Sequence, residues 1–291
     1  MPIQTAYAKL DIPFALLSAV VFGDDHETIT INLRNGDRIQ GTTNLKELRI
    51  ESSVGKVSVA RKDMVSISTL PDATEIVDGL VAHYPFDGNA NDVTSHGNNG
   101  KLRGVVPTGD RFDIPNSAYL FDGNDCYIDL GTDSILNPTA SMTITAWIKV
   151  VGSGNRDIIS RWETQEYEID ERTYALGVRS DNNIYWIISP DGSHENSAVI
   201  AGSDPLPASS WNFVVATWNG SRMSLFKNGV PLASTEMPKI QKSVHVRTSI
   251  GATIGRQGDP TLNCFQGAID DVRIYSRSLT EQEIQTLYKA K

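Results

Sequence analysis

The chain has 291 residues, a formal charge of −9 and a pI near 5.0. That length is enough for two domains and a sizeable core, and no apolar run is long enough to cross a membrane as a helix. The acidic balance argues against nucleic acid and anionic membranes, and is compatible with neutral sugars, cationic partners or Ca²⁺.

Residues 1–70 read as a small all-β repeat module. Tyr7–Val20 matches Val54–Ile67, each with a lysine, alternating apolar positions, a short break and an apolar strand. Between the copies, Thr28–Leu33 alternates, Asn35-Gly36 makes a turn and Arg38–Gly41 follows as a second strand, so a hairpin is expected. The repeat predicts that the run 14–22 is a strand and not a signal-peptide core. It also predicts that residue 1 falls inside a repeat, as in a trimmed secreted precursor. Together these strands predict a small, half-open barrel-like module.

Residues 71–78, opening with Pro71-Asp72, read as a linker. From 79 to 291 the character changes to longer strands with Gly and Asn turns. Leu80–Tyr84, Ser117–Asp122, Tyr127–Leu130, Met142–Val150 and Tyr174–Val178 read as strands, and Ile184–Ile188 alternates more loosely. Trp211–Trp218, Asn219-Gly220, Met223–Lys227, Asn228-Gly229 and Val230–Leu232 read as a meander with two Asn-Gly turns. One helix is expected, at 280–288. Thr280 and Glu283 have capping-box spacing, and Ile284, Leu287 and Tyr288 form an apolar stripe. Before it, Phe265–Tyr275 reads as a strand. Simple alternation puts Ala268, Asp270, Val272 and Ile274 on one face and turns Asp271 to the other, with Arg273 and Tyr275. Many strands and one terminal helix predict a β-sandwich or jelly roll.

Five blocks resemble the laminin-G-like jelly rolls of the concanavalin A-like lectin/glucanase superfamily. They are Tyr84–Asp92, Tyr119–Asp125, Thr143–Ile148, Trp211–Trp218 with Lys227–Gly229, and Gly267–Tyr275, in that family's order. The resemblance covers roughly Gly79 to Tyr288. It implies two antiparallel sheets face to face, with first and last strands adjacent, usually in a binding or adhesion module and often with an edge Ca²⁺. The N-terminal module more loosely resembles small β-repeats found beside secreted bacterial domains.

An oxygen-rich cluster is the expected metal site. Asp87, Asn89 and Asp92 lie in one Gly-containing loop, Asp122 and Asp125 in another, and Asp270 on the terminal strand. Calcium takes six to eight such oxygens, and Asp270 on an apolar face needs a partner. The bland alternative is turn chemistry. A sugar would need an aromatic platform with hydrogen-bonding groups, for which Arg161, Trp162, Asn182, Tyr185 and Trp186 are candidates, with core packing the competing reading. Trp147, Trp211 and Trp218 read as core. The acids Glu166, Glu168 and Asp170 approach a glucanase triad but depart from its order, so an acidic loop is expected and catalysis is not. Cys126 and Cys264 are either one disulfide or two buried thiols. The expectation is a non-enzymatic, calcium-stabilised extracellular module for a glycan or surface protein. Two alternatives stand beside it: an adhesion or assembly subunit that self-associates through sheet edges, and a glycosidase.

Overall fold

The computed structural model describes residues 2–4, 9–11, 17–23, 25, 27–33, 38–44, 46–52, 55–63, 66–68, 76–162, 171–237, 246–255 and 260–290. The chain divides into two compact units, 1–75 and 76–291.

In the first unit, Thr28–Leu33 pairs antiparallel with Arg38–Thr42 on one side and Leu17–Phe22 on the other. The expected pair of strands is present, and so is the strand reading of the 14–22 run over Leu17–Phe22, residues 14–16 lying outside the described residues. Pro2–Gln4, Lys9–Asp11 and Ser66–Ser68 extend this into a six-stranded sheet, and Glu47–Ser52 with Gly55–Ala60 form a separate hairpin. Among its described residues, Val20, Phe22, Ile29 and Ile31 are the buried apolar ones. The Asn35-Gly36 turn and the linker residues 71–75 lie outside the described residues.

The second unit is a jelly-roll β-sandwich. One sheet has seven strands in the order Lys101–Arg103, Tyr127–Gly131, Thr248–Ile250, Arg156–Trp162, Arg172–Val178, Ile184–Ile188, Ala198–Ala201. The other has eight. Its path runs Val106–Thr108, Ala118–Asp122, Gln266–Tyr275, Met142–Val150, Trp211–Trp218, Arg222–Lys227, Val230–Glu236, and Leu80–Tyr84 also pairs with Gln266–Tyr275. First and last strands are thus adjacent. The meander is present, and Asn228 and Gly229 both take positive φ (52° and 78°), as a two-residue hairpin turn needs.

Strand alternation builds the core. Ile144, Ala146 and Ile148 of one sheet meet Leu176, Val178 and Trp186 of the other in a single apolar cluster. The odd positions of Met142–Val150 face away from that cluster, and the terminal helix covers them. Trp147 stacks on Tyr288 at 5.8 Å and lies 5.3 Å from Phe213, above Ile284 and Leu287. Thr280 caps that helix, with the Glu283 carboxylate returning to the Thr280 N–H at 2.8 Å.

The terminal strand departs from simple alternation. Its register against Met142–Val150 slips by one between Thr145 and Trp147, and Asp271 has φ 48°. This is a β-bulge, and the extra residue reverses the faces beyond it. Ile269, Val272 and Ile274 therefore share the sandwich core, while Asp270 points away from it. The expected grouping of Asp270 with Val272 and Ile274 is wrong for this reason.

Candidate functional site

The outer face of the seven-stranded sheet carries a cleft of about 240 Å³. Its floor follows from register. Asp157, Gly177, Tyr185 and Ala201 stand side by side across four strands. Gly177 has no side chain, so the Tyr185 ring can cross directly over it. A Cβ added at Gly177 would meet Tyr185 Cε1 at 2.6 Å and the Arg156 carbonyl at 2.5 Å. The ring ends over Asp157, to which the Tyr185 hydroxyl donates a hydrogen bond. One pair of residues along, Ala175, Ile187 and Val199 make a parallel apolar row.

Asp157 is wholly buried yet has no cationic partner among the described residues. Three donors hold its carboxylate: Tyr185 on Oδ1, and Thr253 (2.6 Å) and Asn263 (3.3 Å) on Oδ2. Burial raises its pKa to about 6, against the downward pull of those donors. Burial first, and the neighbouring carboxylate second, push the Tyr185 phenol well above its ordinary range. The phenol is therefore a hydrogen donor at neutral pH.

The walls are aromatic and polar. Trp162 is half-buried, and His194 meets its ring edge-on at 6.3 Å. Arg179 and Asn155 form the rim. The turn carrying Arg179 is fixed from beneath by Arg156, whose buried guanidinium donates to the Arg179 carbonyl (3.1 Å), Asn182 Oδ1 (2.6 Å) and the carbonyls of Val151 and Gly152. Asn155 Oδ1 accepts from the Ser180 N–H at 3.2 Å.

Of the expected sugar-binding residues, Trp162 and Tyr185 line this cleft, and three do not. Trp186 points inward to the core and lies 5.7 Å from Tyr174. Arg161 is fully buried and donates to Thr248 Oγ1 (2.7 Å) and the carbonyls of Asp133 and Thr132. It ties a loop down. Asn182 is a turn residue with φ 63°, bonded to Arg156. Sequence reading overlooked Asp157, Gly177, Arg179 and His194. One signal was present: a glycine inside an otherwise apolar strand marks a close approach.

The expected metal residues do not converge on one point. Asp270 is almost wholly buried, but its partner is Arg111 at 3.0 Å, whose guanidinium also sits 4.7 Å over the Trp147 ring. Asp271 lies in the same network, 2.8 Å from His83 and 3.0 Å from Arg273. Burial pushes Asp271 up, but Arg273, His83 and Arg111 outweigh it and hold it below the carboxylate range. Asp270 is raised well above it by burial and by the Asp271 charge. Asp87 is raised by burial and by the same cluster. Asp92 accepts from three backbone N–H groups, those of His83, Thr94 and Asn98, at 3.0–3.1 Å. Asn89 Oδ1 accepts from the Asn91 N–H. Asp122 faces Gln266 across the ladder, four residues or roughly 13 Å along the strand from Asp270. Asp122 and Asp125 do lie together, within 4.8 Å of each other and of the Cys126 thiol. Both carboxylates are exposed, and Asn124 occupies Asp122. Two carboxylates fall short of the six to eight oxygens calcium takes.

Cys126 and Cys264 are separate thiols, not a disulfide. Cys126 donates to the Gly104 carbonyl at 3.0 Å, and Cys264 packs on the cluster of Tyr127, Ala252 and Ile254. The acids Glu166, Glu168 and Asp170 lie outside the described residues.

A family profile for the concanavalin A-like lectin/glucanases superfamily matches residues 122–285. No curated protein gives a sequence match. Among solved structures, domain 4 of AbnA is similar over 72% of this chain and 98% of its own, at 17% identity and a TM-score of 0.53. AbnA is a GH43 extracellular arabinanase from Geobacillus stearothermophilus, and the domain was solved with arabinotriose. The binding domain of Paraclostridial Mosquitocidal Protein 1 is similar over 72% of this chain and 52% of its own (17% identity, TM-score 0.54). The ligand-binding domain of botulinum neurotoxin serotype D, solved with N-acetylneuraminic acid, is similar over 73% and 51% (20% identity, TM-score 0.52). The chain thus spans about half the length of the two toxin domains. At these identities the likeness shows a shared fold.

Proposed function

Because this chain belongs to the concanavalin A-like lectin/glucanases superfamily, we propose that it is a non-enzymatic binding module that takes a glycan in the cleft between Trp162 and Tyr185. The observation that carries this reading is the Tyr185 ring, held across Gly177 in the cleft and latched to Asp157. An aromatic ring in a shallow, polar-walled cleft offers the apolar face of a sugar a surface, while Asn263, Asn155 and Arg179 supply hydrogen-bonding groups for hydroxyls. The jelly roll holds these groups on strands, so the surface is preorganised. The extracellular setting and the glycan partner are part of the same proposal. They are supported by the similar binding domains, one of them from an extracellular arabinanase and two of them solved with sugars.

The test is a glycan array with the intact chain, followed by calorimetry on its hits. Tyr185→Ala and Trp162→Ala should each weaken binding tenfold or more, in line with about 1.5–3 kcal/mol for covering a large apolar side chain. Trp211→Ala, under the helix on the opposite sheet, is the control. Equal affinity in all three variants would refute the cleft. Calcium stabilisation stays in the proposal at one place, the Asp122–Asp125 loop, where two hard carboxylates adjoin. A second reading, an assembly subunit, is supported by the exposed apolar pair Val106 and Leu120 at the margin of the eight-stranded sheet. Sedimentation against concentration tests it.

A further inference from the structure

We propose that the sugar this cleft takes is anionic, with its carboxylate or sulfate on Arg179 and its ring over Tyr185. The inference rests on the glycan reading above and names the ligand class. Among the described lining residues, Arg179 is the one with a fixed positive charge. Its guanidinium is exposed and makes no hydrogen bond or ion pair to a described residue. The acid two positions on, Asp181, feels the Arg179 charge but makes no ion pair with it, and accepts from the Asn183 N–H at 3.0 Å. An unpaired arginine on the rim of a cleft, in a chain of net charge −9, is a prepared anion site.

Arg179 is also held in place. Buried Arg156 grips the Arg179 carbonyl and Asn182 from beneath, and Asn155 grips the Ser180 N–H. The Asn182 N–H closes the turn on the same Arg179 carbonyl at 2.9 Å. Two elements therefore fix the backbone from which the guanidinium reaches. Arg179 and Tyr185 line the same cleft of about 240 Å³, so one ligand can span both groups. Asp157 presents no exposed oxygen to an anion here, and Tyr185, Thr253 and Asn263 all donate to it, which offsets part of its charge.

The test compares matched pairs that differ only in charge: oligogalacturonides against their methyl esters, and sulfated chondroitin oligosaccharides against the desulfated chains. The acidic member of at least one pair should bind about tenfold tighter, the size of one charge-assisted hydrogen bond at a rim. That gap should shrink in high salt and vanish in Arg179→Gln, while Arg179→Lys keeps part of it. Arg179 is exposed, so an unchanged melting curve will show that Arg179→Gln is folded. The two pair types separate carboxylate from sulfate as the source of the charge. Equal binding of neutral and acidic members, still lost in Tyr185→Ala, would overturn the anionic inference and leave the glycan reading standing. Binding insensitive to Tyr185→Ala throughout would overturn both.

Discussion

The stability of Asp157→Asn relative to the wild type should depend on pH, moving in the variant's favour as pH rises. The wild-type carboxylate is buried without a cation, and its folded pKa is about 6 against an ordinary 3.8. The sign follows from linkage. A raised folded pKa means that the folded state holds the proton more tightly than the unfolded chain. This group's contribution is therefore full below about pH 4, is lost as pH rises through 6, and changes no further above that. The difference between 3.8 and about 6 corresponds to roughly 3 kcal/mol at 1.36 kcal/mol per pH unit. Asparagine keeps a carbonyl to accept from Tyr185 and has no charge to lose. The stability difference, variant minus wild type, should therefore rise by about 3 kcal/mol between pH 4 and pH 7. Other carboxylates titrate identically in both proteins and cancel. Urea unfolding at a series of pH values measures this. Tryptophan fluorescence reports the right unit, since all five tryptophans lie in residues 76–291. Parallel stability profiles for the two proteins would refute the claim that Asp157 is buried as described.

Gly177→Ala should lift Tyr185 off the sheet and abolish glycan binding at a cost in stability, because the new methyl meets the Arg156 carbonyl backbone as well as the ring; retained affinity would refute the Tyr185 floor. Arg111→Ala should destabilise by about 3–5 kcal/mol, because it leaves Asp270 buried and unpaired. Adding Asp270→Asn should recover most of that, and a double variant no better than the single would show that the pair is not what Arg111 serves. Limited proteolysis should cut within 71–75 and leave a stable fragment from Ile76; first cuts inside 80–160 would place the boundary wrongly. Saturating Ca²⁺ should raise Tm, and Asp122→Asn with Asp125→Asn should remove the rise; a curve unmoved by calcium or chelator would end the calcium proposal.

The strands were legible because alternation is strong where one face meets a core. Met142–Val150 shows it most cleanly: its even positions enter the sandwich, and Trp147 goes under the helix. The helix was legible from Thr280 and Glu283, whose capping box formed as spaced. What failed was face assignment past Asp271. This bulge puts one residue, Asp271, in the left-handed region, and aspartate tolerates that region without advertising it. Nothing local in Ile269-Asp270-Asp271-Val272 marks which residue is extra. The buried arginines failed for a different reason. Arginine is seldom fully buried, so Arg161 looked like a surface ligand. Its partners are carbonyls from a loop some thirty positions earlier, and Thr248, which only the sheet order brings near.

Arg156 and Asp157 are adjacent in sequence, opposite in charge, both buried, and not paired with each other. Strand geometry forbids the pairing, since successive side chains leave opposite faces. Arg156 stands opposite Val178 and is spent on the carbonyls of two loops. Asp157 stands opposite Gly177, on the outer face, and is spent on the cleft floor. Each charge is satisfied by neutral groups, so each serves as a hydrogen-bonding hub and not as half of a salt bridge. That division ties rim and floor to one strand, Arg156–Trp162, which also ends in the wall residue Trp162. The opposite sheet has spent its outer face on the terminal helix, with Trp147, Phe213 and Tyr288 stacked beneath and against it. The sandwich therefore has one outer face covered by its own terminal helix and one bearing a half-buried tryptophan, a tyrosine crossing a glycine, and an arginine with no ion pair among the described residues, which is why binding is proposed for the second.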